Sequence, residues 1–188
     1  MPLTLSVFPV LPGGAELSFE NSFSYPKGEC THDAIDIFGP IGTPIVSSVI
    51  GRVVESCTLG GETRTGAGAS SPGGYYVVLV DLLRNFHYYA HLQGPPKVAP
   101  GGWIGPGAIL GALGNSGIAR GRPHLHYQVW GPFADESAEE EYQQNIFPRC
   151  FLGAINPYHL LTRLADGLGA SHTSGGRYTI PARRPGRT

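Results

Sequence analysis

His124-Leu125-His126-Tyr127-Gln128-Val129-Trp130 reads as a β-strand. Successive side chains of a strand point to opposite faces, so His124 and His126 share a face and both imidazoles project into a single site. That geometry suits a metal ion. Imidazole nitrogen and carboxylate oxygen are ligands a catalytic zinc takes, three from the protein, with the fourth position left for water. Far upstream, His32-x-x-x-Asp36 offers the rest of such a set, to be completed by one of the paired histidines. A spacing of four faces the same way on a helix or on a strand. Ile35, Ile37 and the stop at Gly39-Pro40 favour a strand entered from a loop.

Working outward, the chain keeps the same character. Short strands are predicted over Ala34 to Phe38, Pro44 to Val49, Arg52 to Ser56, Tyr75 to Asp81, Phe86 to His91 and Ala108 to Leu113, most of them separated by Gly or Pro. The composition agrees. Of 188 residues, 14% are charged, 28 are Gly and 17 are Pro, which fits short strands joined by tight turns better than long helices. The expected fold class is mostly β: one domain built on an antiparallel sheet or sandwich, with long loops and one short C-terminal helix. That helix is placed after Asn156-Pro157, read as N-cap and first helical position, through Arg163 and Leu164.

The expected organisation is an extended lead-in over residues 1–30, a domain over 31–166, and a basic Gly/Pro-rich tail over 167–188 contributing little to the core. Leu59 to Gly74 is read as a long loop, and Asp135 to Glu141 as an exposed acidic helix or loop. A net charge of −1 supplies no field for nucleic acid, and no apolar run is long enough to span a membrane, so neither partner is expected. The first ten residues lack a basic signal-peptide start, so either the protein stays inside or a leader precedes them. Cys30, Cys57 and Cys150 permit at most one internal disulfide.

Five stretches, the histidine strand among them, carry a resemblance. Gly42-Thr43-Pro44-Ile45, Gly51-x-Val53, Tyr89-Ala90-His91-Leu92, Ile109-Leu110-Gly111-x-x-Gly114-Asn115-Ser116-Gly117 and Pro123-His124-Leu125-His126-Tyr127 occur in an order that resembles the M23 zinc metallopeptidases, the lysostaphin and LytM type. The resemblance runs from about Tyr25 to Val129. It implies the LytM-type (duplicated hybrid motif) fold, one zinc ion held by His32, Asp36 and His126, and His91 and His124 as catalytic histidines outside the ligand set. It also implies a substrate, peptide bonds of peptidoglycan stem peptides or cross-bridges, and hence a place in the cell envelope, periplasmic or secreted. Two other readings stand beside it. One is an inactive peptidoglycan-binding or hydrolase-activating module, against which the five filled positions speak. The other is an intracellular metallopeptidase acting on ordinary peptides.

The chain departs from the pattern before the histidine pair. Ala119-Arg120-Gly121-Arg122 stands where the family usually has a small hydroxyl residue and Gly, and the two arginines at the rim are candidates to bind a peptide carboxylate. Tyr25 lies about one residue from a tyrosine that assists in some members and is carried as a substrate-binding candidate. His87, expected on the same strand face as His91, is assigned a structural or supporting role. His159 and His172 are read as solvated, and Cys30 as no ligand because the set is already complete.

Overall fold

The computed structural model describes residues 3–27, 30–57, 72–119, 121–131 and 154–183. In chain order these form β1 (Leu17–Phe19), β2 (Pro26–Lys27), β3 (Cys30–Thr31), β4 (Ile35–Phe38), β5 (Pro44–Val46), β6 (Gly51–Cys57) and β7 (Tyr75–Asp81). There follow β8 (Phe86–Leu92), β9 (Trp103–Ile104), β10 (Ile109–Ala112), β11 (His124–Trp130), β12 (Ala154–Ile155), α1 (Tyr158–Gly167), β13 (Ser171–His172) and β14 (Tyr178–Ile180). The expected mostly β, antiparallel architecture is what the chain adopts. One large sheet runs β13-β14-β1-β4-β11-β8-β7-β6-β9, with β12 also on β11, and β5–β10 and β2–β3 form two small antiparallel pairs.

The central strands form because their residues suit a sheet covered on both faces. Tyr75-Tyr76-Val77-Val78-Leu79-Val80 is almost wholly β-branched or aromatic, and β7 and β8 are buried nearly throughout. On one face Ile35, Ile37, Val77, Leu79, Tyr89, Leu125, Tyr127 and Val129 pack against Ile45 and Leu110 of the small pair, Phe8 and Val10, and Leu161 and Ala165 of α1. The opposite face carries Tyr76, Val78, Val80, Phe86, Tyr88, Ala90 and Trp130 as a second buried cluster. Asp36, His124 and His126 alternate onto that second face from strands whose other residues fill the core, so two hydrophobic layers fix the backbone beneath them.

Both ends of the described chain belong to this sheet. Where the sequence suggests an extended lead-in and a tail of little consequence to the core, β1 pairs with both β4 and β14, and Leu17, Phe19 and Ile180 are fully buried. The alternation that hides Leu17 and Phe19 also finds Phe19 a stacking partner in Tyr178, 5.2 Å away between ring centroids. The helix begins one residue later than expected. Pro157 occupies the N-cap, yet Asn156 still caps, its Oδ1 accepting the Tyr158 N–H at 3.0 Å. Residues 59–71 of the loop expected over Leu59 to Gly74, the acidic stretch Asp135 to Glu141, Arg120 and Cys150 lie outside the described residues.

Candidate metal centre and the histidines around it

The register of β4 and β11 builds the site in two rungs. Asp36 lies directly across from His126, and Phe38 across from His124. His32 arrives from the loop after β3, tied back by its N–H to the Tyr25 carbonyl at 2.8 Å. The result is a tight set of three donors. Asp36 Oδ1 is 3.2 Å from His32 Nε2 and 3.2 Å from His126 Nδ1, and the two nitrogens are 3.3 Å apart. Ligand atoms about 2.0–2.1 Å from a tetrahedral zinc lie roughly 3.3 Å from one another. The spacing of these three side chains therefore fits such an ion, and they are the cluster of potential metal ligands among the described residues.

Backbone carbonyls fix which nitrogen of each histidine points inward. A carbonyl only accepts, so the ring nitrogen facing it carries the proton and the other nitrogen of a neutral ring keeps its lone pair. His32 Nδ1 donates to the Ser22 carbonyl at 3.0 Å, His124 Nδ1 to Arg122 at 2.7 Å and His91 Nδ1 to Ser116 at 2.8 Å. Each thereby presents an unprotonated Nε2. Ser22 also braces the carboxylate strand, its hydroxyl accepting the Asp36 N–H at 3.0 Å and donating to the Ala34 carbonyl at 3.2 Å.

His91 reaches the site through a bulge. Tyr75 pairs with Leu92 and Val77 with Tyr89, so Ala90 and His91 together oppose the single residue Tyr76. His91 has φ +65°, a left-handed conformation uncommon for a side-chain-bearing residue. Regular alternation would place His91 with His87 and Tyr89 on the core face. The bulge turns it over instead, bringing its ring centroid 4.8 Å from His124 and 5.8 Å from His126. The expected shared face of His87 and His91 is thus corrected. His87 is fully buried on the core side, 2.9 Å from the Tyr127 hydroxyl and 3.1 Å from Asp81.

Three chain segments hold the bulge. The His91 N–H donates to the Gly73 carbonyl at 2.9 Å, while the Ser116 hydroxyl donates to the Leu92 carbonyl at 2.6 Å and accepts the Tyr75 N–H at 3.0 Å. Gly74 and Gly117, at φ +64° and +66°, permit the contact, because a Cβ on either would collide with the other segment. Ser116 lies inside the motif quoted from the sequence, but its supporting role, like that of Ser22, was not visible there.

Burial would raise the Asp36 pKa, but His126 and His32, which donate to the carboxylate and carry charge when they are protonated, hold it well below the usual carboxylate range. Burial, reinforced by His126 and His124 and only partly offset by the Ser116 carbonyl, pushes His91 down to about 3. His91 is therefore neutral near pH 7. Tyr88 flanks the donors, its ring 6.0 Å from His126 and edge-on to it. Tyr25 is half exposed and is tied to the site through its backbone carbonyl, and Arg122 is exposed at the rim. His159 and His172 sit in α1 and β13, away from the rungs of the site.

Comparison with known proteins matches the sequence to a family. The sequence model of peptidase family M23 covers residues 30–139. The L-Ala–D-Glu endopeptidase of Bacillus subtilis (strain 168) is 30% identical over 130 residues, 64% of this chain and 36% of that protein. An uncharacterized metalloprotease of Buchnera aphidicola subsp. Baizongia pistaciae is 32% identical over 104 residues, 55% of this chain and 24% of that protein. The chain thus spans about a third or less of these relatives. Among solved structures, the catalytic domain of lysostaphin from Staphylococcus simulans superposes with a TM-score of 0.55 at 23% identity, covering 77% of this chain and 91% of that one. LytM from Ruminococcus gnavus ATCC 29149 gives 0.60 at 20% identity, covering 87% and 61%. At these identities the structural likeness is one of fold.

Proposed function

The chain belongs to peptidase family M23, and on that footing we propose that it is a zinc-dependent endopeptidase cleaving peptide bonds in peptidoglycan stem peptides or cross-bridges. The relative named as an L-Ala–D-Glu endopeptidase supports that substrate class, and a place of action in the cell envelope is proposed with it. The single observation that carries the proposal is the convergence of His32 Nε2, Asp36 Oδ1 and His126 Nδ1 at spacings of 3.2 to 3.3 Å.

In this reading His32, Asp36 and His126 hold one zinc ion. Bound there, the ion supplies Lewis acidity, making water acidic enough to attack near neutral pH and polarising the peptide carbonyl. The protein's own groups do the rest. His91 and His124 face the donor set from the neighbouring strand and the next rung, each with Nδ1–H committed to a backbone carbonyl and Nε2 free to accept a proton from the attacking water. Because its surroundings disfavour charge, a protonated His91 is a strong acid and passes its proton on to the leaving amine. A protonated His124 Nε2, 3.8 Å from Asp36 Oδ1, stands where it can donate to the developing oxyanion.

The test measures zinc content together with release of new amino termini from purified sacculi, with and without a chelator. The native protein is expected to hold one zinc and to lose cleavage on chelation. His91→Ala keeps its zinc and loses most turnover, whereas Asp36→Ala loses both. Stoichiometric zinc with no cleavage of sacculi or glycine-rich peptides would point instead to a binding module, and full activity in either variant would refute the assigned roles.

A further inference from the structure

Beside the donor set stands a cation that has no carboxylate partner among the described residues. Arg122 lies exposed immediately before the histidine strand, and its Cζ sits 4.6 Å above the centre of the Phe38 ring. Phe38 is half-buried, is the cross-strand partner of His124, and leans on the His124 ring at 5.4 Å between centroids. The same arginine's backbone carbonyl accepts the His124 Nδ1–H at 2.7 Å. Arg122 is thus anchored twice to the second rung, by its backbone to the imidazole and by its guanidinium to the aromatic neighbour of that imidazole. Among the described residues no Asp or Glu forms an ion pair with it.

A guanidinium held over an aromatic ring by cation–π attraction spends no N–H on an acceptor there, so its donors stay available. They form a fork matched to the two oxygens of a carboxylate. Resting over the ring also reduces the freedom the side chain would otherwise lose on binding. The Phe38 rung is two residues along β4 from the Asp36 rung, roughly 7 Å at about 3.3 Å per residue. An extended peptide advances by a similar step, so a group on Arg122 belongs to a substrate residue within about two positions of the bond being cut.

We propose that Arg122, laid on Phe38, is a specificity-determining residue that selects peptides bearing a free carboxylate within about two residues of the scissile bond. The inference rests on the peptidase reading above and adds to it a required charge on the substrate. A neutral glycine cross-bridge offers this arginine nothing, whereas an acidic stem peptide does.

The experiment uses the zinc-loaded full chain and two synthetic stem peptides identical except that one carries a carboxylate, and the other a carboxamide, on the residue next to the cleaved bond. Charge-assisted hydrogen bonds of this kind correspond to a preference of roughly ten- to a hundred-fold. The native protein is expected to favour the carboxylate peptide by about that factor in kcat/KM, and Arg122→Gln to reduce the ratio to near one. Arg122 is exposed, so the variant folds, which its melting temperature verifies. Equal use of both peptides by the native protein, or a preference that survives in Arg122→Gln, overturns the proposal. If neither peptide is cut, calorimetric binding of the same pair makes the same comparison through the ratio of Kd values. A failed peptidase reading and a failed arginine reading are thereby told apart.

Discussion

Replacing Ser116 by alanine removes no proposed ligand, yet it should disable the site through His91. The hydroxyl donates to the Leu92 carbonyl at 2.6 Å and accepts the Tyr75 N–H at 3.0 Å, both in partly buried surroundings. Deleting it orphans one acceptor and one donor, each costing about 1–1.5 kcal/mol at the lower end of the range for buried groups, so roughly 2–3 kcal/mol in all. For a chain of this length each kcal/mol lowers Tm by about 2–4 °C, which gives a drop of roughly 4–12 °C. The second effect is on catalysis. His91 holds a left-handed φ of +65°, a conformation that costs on the order of 1–3 kcal/mol and persists only while its surroundings enforce it. With the 73–75, 91–92 and 116–118 segments no longer cross-linked by the hydroxyl, the bulge can relax towards regular pairing and carry the imidazole away from His124. Ser116→Ala is therefore expected to keep one zinc, to hold KM within a few-fold, and to lose at least about tenfold in kcat when assayed well below its melting temperature. A variant that melts earlier but turns over at the native rate would refute the claim that this knot positions His91. Unchanged Tm would refute the hydrogen-bond accounting itself.

Two more perturbations probe the frame around the site. Gly117→Ala adds a Cβ that meets the Pro72 carbonyl and the Gly74 nitrogen at φ +66°, whereas Gly101→Ala, at φ +91°, meets nothing within 4 Å. Both carry conformational strain of about 1–2 kcal/mol, but only the first adds a collision. Thermal melts should place Gly117→Ala well below Gly101→Ala, and equal melting would show that the 72–74 segment yields without cost. On the core side, hydrogen bonds from His87 and Asn85 outweigh the effect of burial and hold the Asp81 pKa below its ordinary value. A depressed folded-state pKa contributes stability above the unfolded-state value near 4, lost as pH falls through the folded-state value. Urea midpoints between about pH 3 and 6 should fall less steeply with acid in His87→Phe than in the native protein, while the variant is less stable by roughly 1–3 kcal/mol at neutral pH from the hydrogen bond that the buried carboxylate loses. Parallel acid slopes would remove Asp81–His87 from the account.

Much of the fold was legible because its central strands carry strong local signals. Tyr75–Asp81 and His124–Trp130 end where the sequence places them: the first is rich in β-branched and aromatic residues and is entered from Gly73-Gly74, and the second lies between Pro123 and Gly131. The strands β1 and β14 were not legible. Each is three residues long, and their pairing joins Leu17 to Ile180 across almost the whole chain, which no local pattern announces. The candidate site divides in the same way. The shared face of His124 and His126 follows from the period of a strand. The position of His91 does not, because a bulge breaks that period, and the bulge is enforced by Gly73 and Ser116 from elsewhere in the sequence. Ser22 escaped notice for the same reason. Its hydroxyl and carbonyl brace Asp36 and His32, but it belongs to no recurring motif.

The proposed division of labour between His124 and His126 follows from what stands across from each. Two imidazoles on one face of one strand are equivalent as far as β11 alone is concerned. β4 distinguishes them. His126 faces Asp36, whose carboxylate draws its Nδ1 into the donor triangle at 3.2 Å. His124 faces Phe38, which offers no charge, and the Arg122 carbonyl turns its Nδ1 away, leaving Nε2 at 3.8 Å from the same carboxylate oxygen. A one-residue slip of β4 against β11 would put Ile35 and Ile37 on the site face and Asp36 in the core, which the fully buried Ile35, Ile37, Leu125 and Tyr127 forbid. The hydrophobic core thus sets the chemistry of the site: by locking the register, it determines which histidine meets a carboxylate and which meets a ring.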